Sequence, residues 1–247
     1  MLFDLTGHVA LVTGAGQNVG AGIARMLAAQ GAAVAVNDFV PERAQLVANE
    51  IGDSAIDCPF DVTDLEAVKA SVAYVGDRLG LVDILVNNAG NGGSGGMRAA
   101  PFREIAPSEW PGPVEVNLYG VMNCCKAVID VMCERGWGRI LTISSGAGTG
   151  GVGIGVAAYS AGKGGGISFT RSLALEVGRD GVTANTIAIG LMTGAESEIT
   201  ARQAKSIPVG RTGTPEDVGA ACVWLASDEA SWVTAQTIQV NGGSITT

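Results

Sequence analysis

The chain has 247 residues, 47% hydrophobic and 16% charged, which suits a packed core and excludes a disordered chain. A net charge of -9 with no Lys/Arg cluster argues against a nucleic-acid partner. Five cysteines without C-x-x-C spacing read as buried small hydrophobes in a reducing compartment, and a single histidine, His8, gives no basis for a metal site or a Ser-His-Asp triad.

Short apolar runs alternate with longer segments of helical period, the pattern of a parallel sheet covered on both faces. Val9–Val12 reads as the first strand. Residues 20–30 follow as a helix, with Ile23, Ala24 and Leu27 on one face and Gly31 as its stop. Ala33–Val36 is the second strand and Pro41–Ile51 the second helix, with proline at its start. Strands over 55–60 and 84–86 flank a helix over 64–79. A long helix over 114–134 leads to a strand over 140–143, and a helix from Tyr159 to Val177 to a strand over 183–187. Pro111 and Pro113 are expected at or before the start of that long helix, since neither suits a helix interior. A helix at Pro215–Ala226 and a strand at Thr237–Val240 close the chain.

No linker or repeat marks a second domain, so residues 1–247 read as one. The N-terminus carries Asp4 and lacks the basic start of a signal peptide. Residues 140–162 are uncharged and exceed the ~20 residues of a membrane span. Their density of Gly, Ser and Thr makes them strand and loop instead, so no membrane partner and a cytoplasmic location are expected.

The first strand runs into Thr13-Gly14-Ala15-Gly16-Gln17-Asn18-Val19-Gly20 and then the first helix. Glycines let backbone approach a pyrophosphate, and a helix N-terminus offers free N–H groups and a positive dipole end. Asp38 closes the second strand, 18 residues after Gly20. A carboxylate there accepts ribose hydroxyls and repels a 2′-phosphate, which favours NAD over NADP. Asp61-Val62 is placed for the adenine edge, and Asn87-Asn88-Ala89-Gly90 brings small, backbone-rich sequence to the cofactor.

Tyr159 and Lys163 stand about one helical turn apart, so phenol and ammonium share a face. A neighbouring ammonium favours the phenolate and suits the tyrosine to proton transfer near neutrality. An Ile-Ser-Ser run ending at Ser145 precedes them by 14 positions.

These motifs, with Asn117 in Val-Asn-Leu-Tyr-Gly and a terminal Val-Asn-Gly-Gly, resemble the short-chain dehydrogenase/reductase family along essentially the whole chain. The resemblance implies an α/β fold, a single Rossmann-type doubly wound parallel sheet of about seven strands with helices on both faces. It implies a homotetramer packed through the long helices, and a small substrate-loop region at about 191–213. By the family pattern Asn117, Ser145, Tyr159 and Lys163 form the catalytic group. Tyr159 is then the general acid/base. Lys163 lowers its pKa and grips the nicotinamide ribose, Ser145 bonds the reacting oxygen, and Asn117 holds a water leading to solvent. The implied cofactor contacts are Gly14, Gln17, Asn18, Val19, Gly20, Asp38, Asp61, Val62, Asn88, Ala89, Gly90, Tyr159, Lys163 and Thr193. Several positions depart from the family pattern. Asn18 stands for the middle glycine, the Ser145–Tyr159 spacing is one longer than usual, and Ile189-Gly190 replaces Pro-Gly ahead of Thr193.

The expected activity is NAD-dependent interconversion of a secondary alcohol and a ketone. Pocket walls are expected at 91–100, 146–158 and 191–206, the second without charge, which points to a neutral, partly apolar substrate. Arg98 and Arg103 offer contacts to a carrier phosphate, as a 3-oxoacyl thioester would need. The alternatives are a non-catalytic NAD-binding sensor or partner subunit, and an NAD-using dehydratase or epimerase on the same fold.

Overall fold

The computed structural model describes residues 2–90, 97–192 and 204–246. Its centre is a seven-stranded sheet in the order β3-β2-β1-β4-β5-β6-β7, every pairing parallel. The strands are β1 Val9–Val12, β2 Ala33–Val36, β3 Ala55–Asp57, β4 Ile84–Asn87, β5 Gly138–Ser145, β6 Val182–Ile189 and β7 Thr237–Val240. β1 and β4 are buried at every position, which is why they read as continuous apolar runs.

The helices are α1 Asn18–Ala29, α2 Pro41–Ile51, α3 Leu65–Arg78, α4 Pro111–Val114, α5 Gly120–Arg135, α6 Gly146–Thr149, α7 Ala157–Val177 and α8 Pro215–Ala226. Two apolar layers sandwich the sheet. On one face Ile23 and Leu27 of α1 pack with Val218, Cys222 and Leu225 of α8. On the other, Val68 and Val75 of α3 join Val121, Cys124 and Val128 of α5 and Ala174 of α7. Strand order reverses beside β1: its chain leaves towards β2 while β4 lies on its other side, and the two departing loops open a crevice at their C-terminal ends.

The long helix begins earlier than the sequence suggests. Pro111 and Pro113 both lie in α4, whose first turn has N–H groups without intrahelical partners, so two prolines are tolerated there. A π-helical turn, Glu115–Tyr119, joins α4 to α5 and carries Asn117. β5 and β6 exceed their expected spans because their pairing runs unbroken from Gly138–Val182 to Ser145–Ile189. Ser145 is thus the last residue of β5 and the N-cap of α6, its Oγ accepting from the Ala147 N–H at 3.2 Å.

His8 lies at the opposite end of the sheet. Its ring stacks on Trp137 at 4.0 Å, and the Arg139 guanidinium lies over Trp137 at 4.2 Å.

Candidate active site

One cavity of about 1250 Å³ opens at the crevice and reaches from Asp38 to Tyr159 and Lys163. That exceeds the ~300–1,000 Å³ of an ordinary small-molecule pocket and leaves room for a dinucleotide and a substrate together.

At its nucleotide end the glycine-rich turn is fixed by side chains from three strands. Thr13 Oγ1 accepts from the N–H groups of Asn88 and Ala89, each at 3.0 Å, and donates to the Val86 carbonyl at 3.3 Å. Asn88 Nδ2 donates to the carbonyls of Thr13 and Gly14, each at 2.9 Å. Asn37 Oδ1 accepts from the Gly14 N–H at 3.2 Å, while its Nδ2 reaches the carbonyls of Cys58 and Phe60 beyond β3. Asn88 therefore braces the loop as well as lining the cavity. Gly14 has φ +60°, and a Cβ there would lie 2.8 Å from Ala89 Cα. A Cβ on Gly20 would lie 2.3 Å from the Gly14 carbonyl oxygen. Asn18, in place of the family's glycine, takes φ +48°, a left-handed conformation that Asn adopts more readily than most residues. Gln17, Asn18, Val19 and Gly20 line the cavity where α1 begins, so the free N–H groups of that helix face it. This cradle fits a pyrophosphate.

Asp38 is 6% exposed and also lines the cavity. Its two oxygens accept from the N–H groups of Gly16 at 3.1 Å and Val40 at 2.9 Å, which fixes its position. Asp61 lines the same end, its Oδ1 taken by the backbone and hydroxyl of Thr63. Val62 packs on Gly120, where a Cβ would come within 2.7 Å of its Cγ2. Sequence reasoning missed Arg43, which lines this end too; a Cβ on Gly16 would lie 2.5 Å from Arg43 Cβ. The bracing residues Thr13 and Asn37 also went unassigned, although each adjoins a motif that was read.

At the other end β5 and α7 bring Ser145, Tyr159 and Lys163 together. Ser145 lies beside the Tyr159 phenol, close enough to act on its ionisation. Lys163 Nζ donates to the Ile143 carbonyl at 2.8 Å and lies 5.9 Å from the Tyr159 ring centroid. Gly90 admits the next approach: a Cβ there would meet both Asn117 Oδ1 and Lys163 Nζ at 2.7 Å. Asn117 Nδ2 donates to the Pro113 carbonyl at 2.8 Å, tying the π-helical turn back to α4. Tyr159 and Lys163 line the cavity, and Ser145 and Asn117 adjoin them. Ser144, the other hydroxyl of the Ser-Ser pair, is 1% exposed and donates to the Lys163 carbonyl at 3.2 Å. Thr193 lies outside the described residues, as do residues 91–96 and 193–203 of the expected pocket walls.

The electrostatics differ from the sequence expectation in one respect. Burial pushes the Tyr159 phenol above its ordinary range, and the neighbouring Ser145 hydroxyl only partly offsets it. Burial also pushes Lys163 down to about 8. In this structure the lysine therefore does not depress the tyrosine; desolvation dominates both groups. The phenol is protonated at neutral pH, the form that donates a proton.

The wall opposite α7 is residues 97–112. Arg98 pairs with both oxygens of Glu109, at 3.0 and 3.1 Å, and donates to the Glu104 carbonyl at 2.6 Å. A contact from Arg98 to a carrier phosphate is thus a reading the structure does not favour, because the guanidinium is already committed.

A family model described as enoyl-(acyl carrier protein) reductase matches residues 14–244. The chain is 39% identical over 246 residues to the 3-oxoacyl-(acyl-carrier-protein) reductase FabG of Vibrio cholerae, spanning 97% of this chain and 98% of that one. It is 36% identical over 244 residues to the (2S)-((R)-hydroxy(phenyl)methyl)succinyl-CoA dehydrogenase subunit BbsD of Thauera aromatica, 96% of each chain. The crystal structure of a gluconate 5-dehydrogenase from Burkholderia cenocepacia, in complex with NADP and tartrate, matches with a TM-score of 0.89. That likeness covers 98% of this chain and 96% of the other at 34% identity. The chain belongs to the short-chain dehydrogenase/reductase family. It is an oxidoreductase of alcohol and ketone groups that works with a nicotinamide dinucleotide.

Proposed function

We propose that this protein is an NAD-preferring reductase and dehydrogenase of neutral, partly apolar ketones and secondary alcohols, with 3-oxoacyl thioesters among its candidate substrates. The observation that carries the reading is one cavity lined by the Tyr159 phenol, the Lys163 side chain and the Asp38 carboxylate. The relatives named as acting on acyl thioesters support that substrate class.

In this reading Gly14, Gly16 and Gly20 let the loop pack tightly on Ala89, Asp38 and Asn88, and the first N–H groups of α1 bind the pyrophosphate. Asp38 receives the adenosine ribose, Asp61 and Val62 border the adenine, and Ala89 and Gly90 keep backbone beside the nicotinamide half. Thr193 stands as a further contact to the nicotinamide. The bound dinucleotide supplies hydride transfer to or from the carbinol carbon. Tyr159 donates a proton to the substrate oxygen in reduction and withdraws it in oxidation. Ser145 orients the phenol and bonds the same oxygen as negative charge develops. Lys163 presents its ammonium to the ribose and to the tyrosine, and Asn117, beside it at Gly90, carries the proton route onward. The whole chain serves as one domain with a small substrate-side region at about 191–213, and works in the cytoplasm.

The preference for NAD rests on Asp38, whose carboxylate would face a 2′-phosphate as a like charge. Arg43 beside it attracts that phosphate, but it is exposed and solvent screens it, while Asp38 is buried and held by two N–H groups. Steady-state assays with both reduced cofactors should show kcat/KM at least about tenfold higher with NADH. Asp38→Ser should narrow or invert that ratio by improving the NADPH reaction. Equal kcat/KM in the parent, or no change in the variant, would refute the assignment.

A homotetramer is also proposed. Tyr119, Met122 and Leu175, on the π turn, α5 and α7, are 54%, 38% and 75% exposed, which leaves apolar surface on the two long helices. Light scattering should give about four chain masses of 24.9 kDa. A monomer at micromolar concentration would sink this proposal.

A further inference from the structure

The wall formed by residues 97–112 carries two aromatic rings that nothing in the reaction chemistry requires. Phe102 lines the cavity and stacks on Trp110, centroids 5.4 Å apart and planes 21° apart. Both remain open to solvent, at 55% and 39%. Met97, Ile105 and Val156 line the same part of the cavity, and its charged residues, Arg98 and Glu109, neutralise each other.

The platform is held in place. The Ala100 N–H donates to the Gly155 carbonyl at 3.0 Å. Gly155 has φ +78°, and a Cβ there would fall 2.6 Å from the Ala100 nitrogen, so this contact needs glycine on both counts. Glu109 Oε1 accepts from the Ala106 N–H at 2.8 Å while the carboxylate grips Arg98, closing the segment on itself around Phe102. An exposed ring that faces a reaction cavity, backed by a second ring stacked behind it, is a binding surface rather than part of the core.

We propose that the Phe102–Trp110 pair receives an aromatic ring borne by the substrate, so that aryl-substituted ketones and alcohols are preferred over alkyl ones. The inference rests on the oxidoreductase reading above and names the substrate class of that site. A third ring continues the stack on Phe102 and gains offset aromatic contact beyond apolar area, a gain that an alkyl tail lacks. The charged residues of this wall are paired, Arg98 with Glu109 and Arg103 with Glu104, so none faces an anionic tail alone.

The test compares 4-phenyl-2-butanone with 2-butanone, each assayed with NADH and with NADPH. The parent should favour the phenyl ketone in kcat/KM by about tenfold or more. Phe102→Ala should lower the phenyl reaction about tenfold and leave 2-butanone within about twofold. Phe102→Leu, which keeps bulk without a ring and guards against misfolding, should fall between. Equal losses on both ketones, or no phenyl preference in the parent, overturn the proposal.

Should neither ketone turn over, the oxidoreductase reading fails for these substrates, and binding still decides the inference. Titration of 4-phenyl-2-butanone by quenching of tryptophan fluorescence should saturate in the parent and weaken about tenfold in Phe102→Ala. An unchanged dissociation constant, or no binding by the parent, refutes it.

Discussion

Tyr159→Phe should lower kcat for ketone reduction by about 10²–10⁴ while the fold and cofactor binding persist. The substitution removes a hydroxyl and leaves the ring. The structural cost is small, at most about 1 kcal/mol for the polar contact the phenol makes beside Ser145. Circular dichroism and cofactor titration of the variant should therefore match the parent, with the loss confined to turnover. Activity within tenfold of the parent would remove Tyr159 from the proton-transfer role.

The parent's pH profile tests the same site without mutation. Burial holds the phenol above its ordinary range, so the proton-donating form persists through neutrality, and Lys163 loses its charge near pH 8. Reduction should be flat up to about pH 7 and decline as Lys163 titrates through about 8. Oxidation needs the phenolate and should rise with pH over the same range. A reduction rate that climbs between pH 7 and 9 would contradict this account.

The inner strands were legible because they are buried on both faces. β1 and β2 take their expected bounds since continuous apolar runs end at turn residues, and α2 and α8 do so because proline marks each start. Where local signals conflicted with packing, packing decided. Pro113 reads as a helix breaker, yet it sits in the first turn of α4, where its missing N–H costs nothing. The π-helical turn at Asn117 has no sequence period of its own. The same division holds at the site. Tyr159, Lys163 and Ser145 could be named from spacing, because one helical turn and one strand end bring them together. Arg43, the Arg98–Glu109 clamp and the Phe102–Trp110 stack depend on how separate segments meet, which spacing does not encode. The direction of the Tyr159 shift was misjudged for a related reason. Proximity of the lysine was visible in sequence, but the burial that outweighs it was not.

Lys163→Met should abolish at least 99% of turnover and at the same time raise thermal stability. The ammonium is 7% exposed, and burial takes its pKa from 10.5 down to about 8. Below pH 8 the folded protein therefore carries a charge that costs about 3 kcal/mol to bury. Methionine fills similar space without that charge. It also leaves the Ile143 carbonyl without its donor, a loss of about 1–2 kcal/mol. The net gain is about 1–2 kcal/mol, or roughly 2–8 °C in Tm for a chain of this size. The sign follows from linkage. The unfolded chain binds the proton more tightly than the folded one between about pH 8 and 10.5, so the parent's stability rises with pH across that window. The advantage of Lys163→Met should accordingly be greatest at pH 7 and shrink towards pH 10. Melting curves should be taken without cofactor, since a ligand that binds the folded state would mask the difference. A Tm below the parent's at pH 7 would mean that the lysine holds the fold together. A higher Tm with lost turnover would mark a charge kept in the site at a cost to stability, because reaction at Tyr159 requires it.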